Sequence, residues 1–219
     1  MNILKQQNQN NPERDTVVAG TFLTLISLGL VISSFGVFFK PLSSEFGWTR
    51  GDTSGAFSTA MVISGVMALV SGRLADRFSP RLIITICGAL LGCACLLLSR
   101  TTSLLQLFLY FGVIAGCGMS VMIPTTSLIV RIYKKRRGFM TGITQSGASI
   151  GSIAAAPFIT LLISAFNWRT SYVILGVAVL IITAISLALL RDPLKESLPN
   201  QPADSLAEQG TGAEGPIRS

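Results

Sequence analysis

The chain contains no histidine, so it lacks both the commonest general base and the commonest metal ligand. Charge is scarce as well. Asp, Glu, Lys and Arg make up 12% of 219 residues, where a soluble domain carries about 25%. No charged residue falls in the central part of any long apolar run. Without a nucleophile–base pair or a cluster of acids, an enzyme is the least favoured class, and no metal or cofactor is implied. The four cysteines, Cys87, Cys93, Cys95 and Cys117, all lie inside apolar runs, which reads as buried free thiols rather than disulfides or zinc ligands. The polar N-terminus lacks the short apolar core and cleavage site of a secretory signal.

What is present is apolar length. Half of the residues are hydrophobic, and a membrane-spanning helix needs about 20 mainly apolar residues. Six stretches qualify: Val17 to Phe39, Gly55 to Leu74, Leu82 to Leu98, Leu104 to Val130, Phe139 to Phe166 and Thr170 to Leu190. The predicted organisation is a tail over 1–16, a six-helix transmembrane domain over 17–190, and a polar tail or truncated interdomain linker over 191–219. That last segment is too rich in Pro, Gly and polar residues to fold alone.

The net charge of +7 resides in short loops, which points to membrane topology and away from nucleic acid. With the N-terminus inside, inside segments hold Lys5, Arg14, Arg73, Arg77, Arg81, Arg131, Lys134, Lys135, Arg136, Arg137, Arg191 and Lys195. Outside loops hold Lys40, Arg50, Arg100 and Arg169. This bias predicts an inner or plasma membrane protein with both termini cytoplasmic. Trp48 and Trp168 read as anchors at the outer boundary.

Small residues recur four apart. Gly88 and Gly92 do so in the third span, Gly112, Gly116 and Ser120 in the fourth. The fifth carries two stripes, Gly138–Gly142–Ser146 and Gly147–Gly151–Ala155. Such spacing lets helices approach closely, and tight packing is the simplest reading of each glycine. The second span opens at Arg50-Gly51 and the fifth at Arg137-Gly138, from opposite sides of the membrane. That pattern is what an all-α domain built as a 3+3 inverted repeat gives.

The charged stretch between the second and third spans is Gly72-x-Leu74-Ala75-Asp76-Arg77-x-x-x-Arg81. It resembles the signature loop of the major facilitator superfamily, with Ser79 where that pattern has a second glycine. Tyr133-Lys134-Lys135-Arg136-Arg137-Gly138, followed by Gly142, Ser146, Gly147 and Gly151, resembles a second segment of the same superfamily. Phe35 to Leu42 and Phe46 to Arg50 are similar to bacterial members of its monocarboxylate transporter and oxalate/formate antiporter branch. Together these features cover residues 17–190 and resemble the N-terminal half of a twelve-helix transporter.

The resemblance implies secondary active transport by alternating access, with a small organic anion as substrate and a coupled proton. It implies that Gly72, Asp76, Arg77 and Arg81 form a gating loop and that Arg136 and Arg137 belong to a basic cytoplasmic loop. Asp76 would latch onto the positive end of a helix in the facing half. Polar candidates for the substrate cavity are Ser33 and Ser34, Thr125 with Thr126, and Thr144, Gln145 and Ser146, of which Gln145 is favoured because a buried amide needs a partner. Related animal transporters carry a lysine where this chain has Ser33, leaving Lys40 and Arg50 as external cations. A second transporter half or a second copy would complete the unit. The alternatives are a membrane interaction or regulatory protein that transports nothing, or an inactive truncated product.

Overall fold

A computed structural model describes residues 12–133 and 137–190, except the side chains of residues 12–15 and of Asp76. The basic-loop residue Arg136 and the 191–219 tail lie outside these residues. Among them there is no strand, as a hydrocarbon environment requires of segments that cannot share backbone hydrogen bonds with water. Six helices cross end to end: α1 (Pro12–Phe46), α2 (Arg50–Arg77), α3 (Pro80–Leu98), α4 (Leu104–Ile132), α5 (Arg137–Ala165) and α6 (Trp168–Leu189). Each is long and apolar enough to span a membrane.

Several boundaries move outward from the sequence expectation. α1 runs through Pro41 to Phe46, so the connection expected between Phe39 and Gly55 shrinks to Gly47, Trp48 and Thr49. Gly47 stops the helix with φ 67°, and its N–H bonds the Ser43 carbonyl at 3.0 Å. α2 then starts on a reciprocal cap. Thr49 Oγ1 accepts from the Asp52 N–H, and the Asp52 carboxylate accepts from the Thr49 N–H.

α4 is not one regular helix. Phe108–Ala115 is a π-helical segment, with the Gly116 N–H bonded to the Phe111 carbonyl five residues back. The chain then tightens: Val121 N–H reaches Gly118 O and Ile123 N–H reaches Ser120 O, three residues back. Pro124 accounts for the second irregularity, since it offers no N–H to the Ser120 carbonyl.

The packing obeys the inverted repeat. The dominant helix pairs are α1 with α5, α2 with α4, and α3 with α6, while α1 also meets α6 and α4 also meets α3. Exchanging α1–α3 for α4–α6 converts each of these pairs into another member of the set. Helices in lipid gain little from hydrophobic burial against one another, so close approach must supply the attraction. Glycines provide it. Gly147 and Gly151 on α5 abut the Phe22 and Ile26 carbonyls of α1. Gly116 on α4 faces Ala60 of α2, whose carbonyl oxygen would lie 3.0 Å from an added Cβ. Gly88 faces Thr183, and Gly92 and Gly176 lie in the same α3–α6 seam.

The other α5 stripe does not pack. An added Cβ at Gly138 or Gly142 would meet nothing within 4 Å, and Ser146 is exposed. α2 and α5 each bury only 17% of their most apolar stretch, against 50% for α1 and α3. They present apolar surface that the six helices leave uncovered, from Val62, Val66 and Leu69 on α2 to Ile150, Ile153 and Leu161 on α5.

Candidate functional site

The α2–α3 hairpin is mostly helix. Gly72 to Arg77 form the last turns of α2, Phe78 and Ser79 make the bend, and Pro80 opens α3 at a position that needs no N–H donor. The charged loop expected there is therefore a two-residue turn. The Phe78 N–H closes α2 by bonding the Leu74 carbonyl at 2.7 Å. Gly72 is half-buried beside Ile123 of α4, Arg77 is exposed, and Arg81 is half-buried in the first turn of α3. Arg131 ends α4 and exposed Arg137 begins α5 at the same end of the bundle. This is the basic end; at the opposite end the α1–α2 and α5–α6 turns carry Phe46, Trp48, Phe166 and Trp168.

The polar cavity candidates separate into two groups. Ser34 and Thr125 are buried, and their hydroxyls donate to the Val31 and Val121 carbonyls at 2.7 Å, so they satisfy their own helices. Thr144 behaves likewise toward Met140 O. Ser33 and Gln145 are half-buried and Ser146 is exposed, although the Ser146 hydroxyl also donates to its own helix, at the Ile143 carbonyl 2.7 Å away. Gln145 Nε2 donates to Thr126 Oγ1 at 3.4 Å, bridging α5 to α4, and Ser146 next to it is exposed.

The seam between α1 and α5 opens along one helical face. Gly29 is pressed against the Ala148 carbonyl, Ser33 is half-buried, and Gly36 and Lys40 are exposed. An added Cβ at Gly36 would meet nothing within 4 Å. Pro157 inside α5 lies past the same contact and leaves the Ile153 carbonyl without its helical donor. Behind this face Phe35 stacks on Phe111 of the π segment, with centroids 4.0 Å apart, and on Phe57 of α2 at 5.8 Å.

The aromatic end holds a cluster that sequence reading missed. Glu45 on α1 accepts from the Trp168 indole Nε1 and from Arg169 Nη2, the latter at 3.0 Å. Trp168 also packs edge-on against Phe46 and Tyr172 and is 7% exposed, so it joins α1 to α6 instead of anchoring at a lipid boundary. No spacing rule could have found this pair, which is separated by 123 positions. The cysteines also differ from expectation. Cys87 and Cys95 are buried, Cys117 is partly so, and Cys93 is exposed on the outer face of α3. Among the described residues no three His, Cys, Asp or Glu side chains form a metal-binding group.

Six apolar helices in an inverted repeat, with an uncovered α2–α5 face and a helical seam opening along α1, form one six-helix membrane-spanning unit. Residues 21–217 match the Major Facilitator Superfamily, and the chain belongs to that family. It is similar to Monocarboxylate transporter 12 of Rattus norvegicus, 30% identical over 86% of this chain and 39% of that protein. Monocarboxylate transporter 11 of Homo sapiens is 28% identical over 84% of the chain and 39% of its own length. Monocarboxylate transporter 1 of Homo sapiens is 27% identical over 73% and 32%. The chain thus spans 32% to 39% of the length of these three relatives.

Proposed function

We propose that the chain is one six-helix half of a secondary active transporter that moves small organic anions, monocarboxylates among them, by alternating access. The observation that carries the substrate class is the open face Ser33–Gly36–Lys40. In an α-helix each side chain leans toward the helix N-terminus. Lys40 therefore leans back along α1, over the empty space at Gly36, toward Ser33. These two residues are about 10 Å apart along the axis at 1.5 Å per residue, which leaves room for a small carboxylate between hydroxyl and ammonium. Arg50, at the start of α2, leans the opposite way, out of the bundle. The Gln145–Thr126 bridge and Ser146 lie nearer the basic end, since Gly147 packs at Phe22 and Gly151 at Ile26 of α1, and stand apart from this carboxylate face.

The same reading assigns the basic end to the cytoplasm, on the Lys and Arg distribution. Asp76, Arg77 and Arg81, with Arg136 and Arg137 across the next hairpin, act as a gate in which Asp76 meets the positive end of a helix in a facing unit. Gly72 lies beside Ile123 of α4 there. The uncovered α2–α5 face takes that second six-helix unit, either the other half of the transporter or another copy.

The test is uptake of a labelled monocarboxylate into proteoliposomes, with and without an inward proton gradient, for the chain alone and with a second six-helix segment. Uptake that saturates and rises with the gradient is expected where two units assemble. Absence of uptake in both preparations, despite crosslinked assembly, overturns the transport reading.

A further inference from the structure

A second site lies away from the α1–α5 face. At the aromatic end, the C-terminus of α3 and the N-terminus of α6 enclose an open cleft of about 530 Å³, lined by Ser99, Arg100, Thr102, Arg169, Thr170 and Val173. Two guanidinium groups share it. Arg100 is exposed and makes no ion pair among the described residues. Arg169 gives one nitrogen to Glu45 and lays its guanidinium over Trp168, 4.9 Å from the ring centroid. A guanidinium has five N–H donors, so these contacts leave others for a ligand. The charge in the cleft is positive even with Glu45 beside it.

Below the cleft the surface becomes apolar. Leu97, three residues before Arg100, is exposed on α3, and Ile86 and Cys93 continue its stripe. Val173, four residues after Arg169, is exposed on α6, followed by Val177 and Ile181. A cationic cleft at the end of two membrane-spanning helices, heading two apolar stripes that run into the bilayer, matches an amphiphile with an anionic head. We infer that this cleft binds the phosphate of an anionic phospholipid in the adjoining leaflet, with Arg100 and Arg169 as phosphate ligands and the acyl chains along Leu97, Val173 and Val177. Arginine suits that role because its planar donors pair bidentately with phosphate oxygens.

The test uses the full chain in detergent micelles doped with phosphatidylglycerol or phosphatidylcholine, read by native mass spectrometry and by thermal unfolding. Phosphatidylglycerol is expected to stay bound and to raise the unfolding temperature, and phosphatidylcholine is not. Arg100→Gln is the decisive variant, because Arg169 also supports the fold through Glu45. It should weaken phosphatidylglycerol binding about tenfold, as for loss of a hydrogen bond to a charged group, whereas Arg73→Gln at the basic end should not. Equal binding by wild type and Arg100→Gln overturns the site. Equal protection by inorganic phosphate or glycerol 3-phosphate overturns the lipid assignment and leaves a free-anion site.

Discussion

Gly29 of α1 and Ala148 of α5 touch through backbone atoms, because residue 29 carries no β-carbon that would strike the Ala148 carbonyl. One turn further along α5, Ser152 Oγ donates to the Gly29 carbonyl at 3.4 Å. This contact holds the α1–α5 pair together at mid-helix, below the point where their seam opens.

Enlarging Gly29 or Gly151 should therefore destabilise the domain. Overpacking a fitted contact costs about 1–3 kcal/mol. Gly142→Ala, on the open stripe, should be neutral or gain about 0.5–1 kcal/mol from helix propensity. Thermal unfolding in detergent separates these cases, and equal unfolding temperatures for Gly29→Val and Gly142→Ala would contradict the packing.

Among the described residues, two buried hydroxyls, Thr101 Oγ1 and Tyr172 Oη, have no hydrogen-bond partner. An unsatisfied buried polar group costs about 1–3 kcal/mol. Thr101→Val and Tyr172→Phe should leave stability unchanged or raise it, while Tyr172→Ala should lower it by removing the ring stacked 3.7 Å from Phe38. A lower unfolding temperature for both conservative variants would show that each hydroxyl has a partner.

The Thr49–Asp52 cap makes a local prediction. Losing an N-cap side chain costs about 1 kcal/mol, so Thr49→Ala should speed hydrogen exchange at the first turn of α2 and leave α6 unaffected. Uniform protection in both proteins would argue against the cap.

Lys40→Gln should raise the KM for a monocarboxylate about tenfold, as for a lost charged hydrogen bond, and Lys40→Arg should retain most of the affinity. Asp76→Asn should instead slow turnover with little change in KM, because the gate proposed for Asp76 acts after binding. If both variants alter only turnover, Lys40 is not the substrate cation.

Orientation can be read with an impermeant maleimide. Single cysteines at exposed Ser44 and Ser79 sit at opposite ends of the bundle. In intact cells Ser44→Cys should label and Ser79→Cys should label only after lysis. The reverse pattern would invert the proposed topology.

The number of spans was legible because lipid imposes a length and an apolarity on any helix that crosses it. The hairpin residues Gly72 to Arg81 and the Arg-Gly starts of α2 and α5 were legible because turns and helix termini are local events. Even these were read too short, since Lys40 to Phe46 and Ala75 to Arg77 continue helices that composition alone would end.

Tertiary structure decided which faces meet. The two glycine stripes of α5 look equivalent in sequence, yet Gly147 and Gly151 are pressed against α1 while Gly138 and Gly142 face open space. Ser34 and Ser33 are neighbours of the same chemistry, yet only Ser34 is enclosed. The difference arises because a helix shows every residue to some direction, and only the placement of its neighbours determines which directions are filled. The Glu45–Trp168–Arg169 cluster and the opening at Gly36 depend on such placement, so the sequence determined the membrane domain and its ends, and the packing of α1 against α5 and α6 decided where it opens.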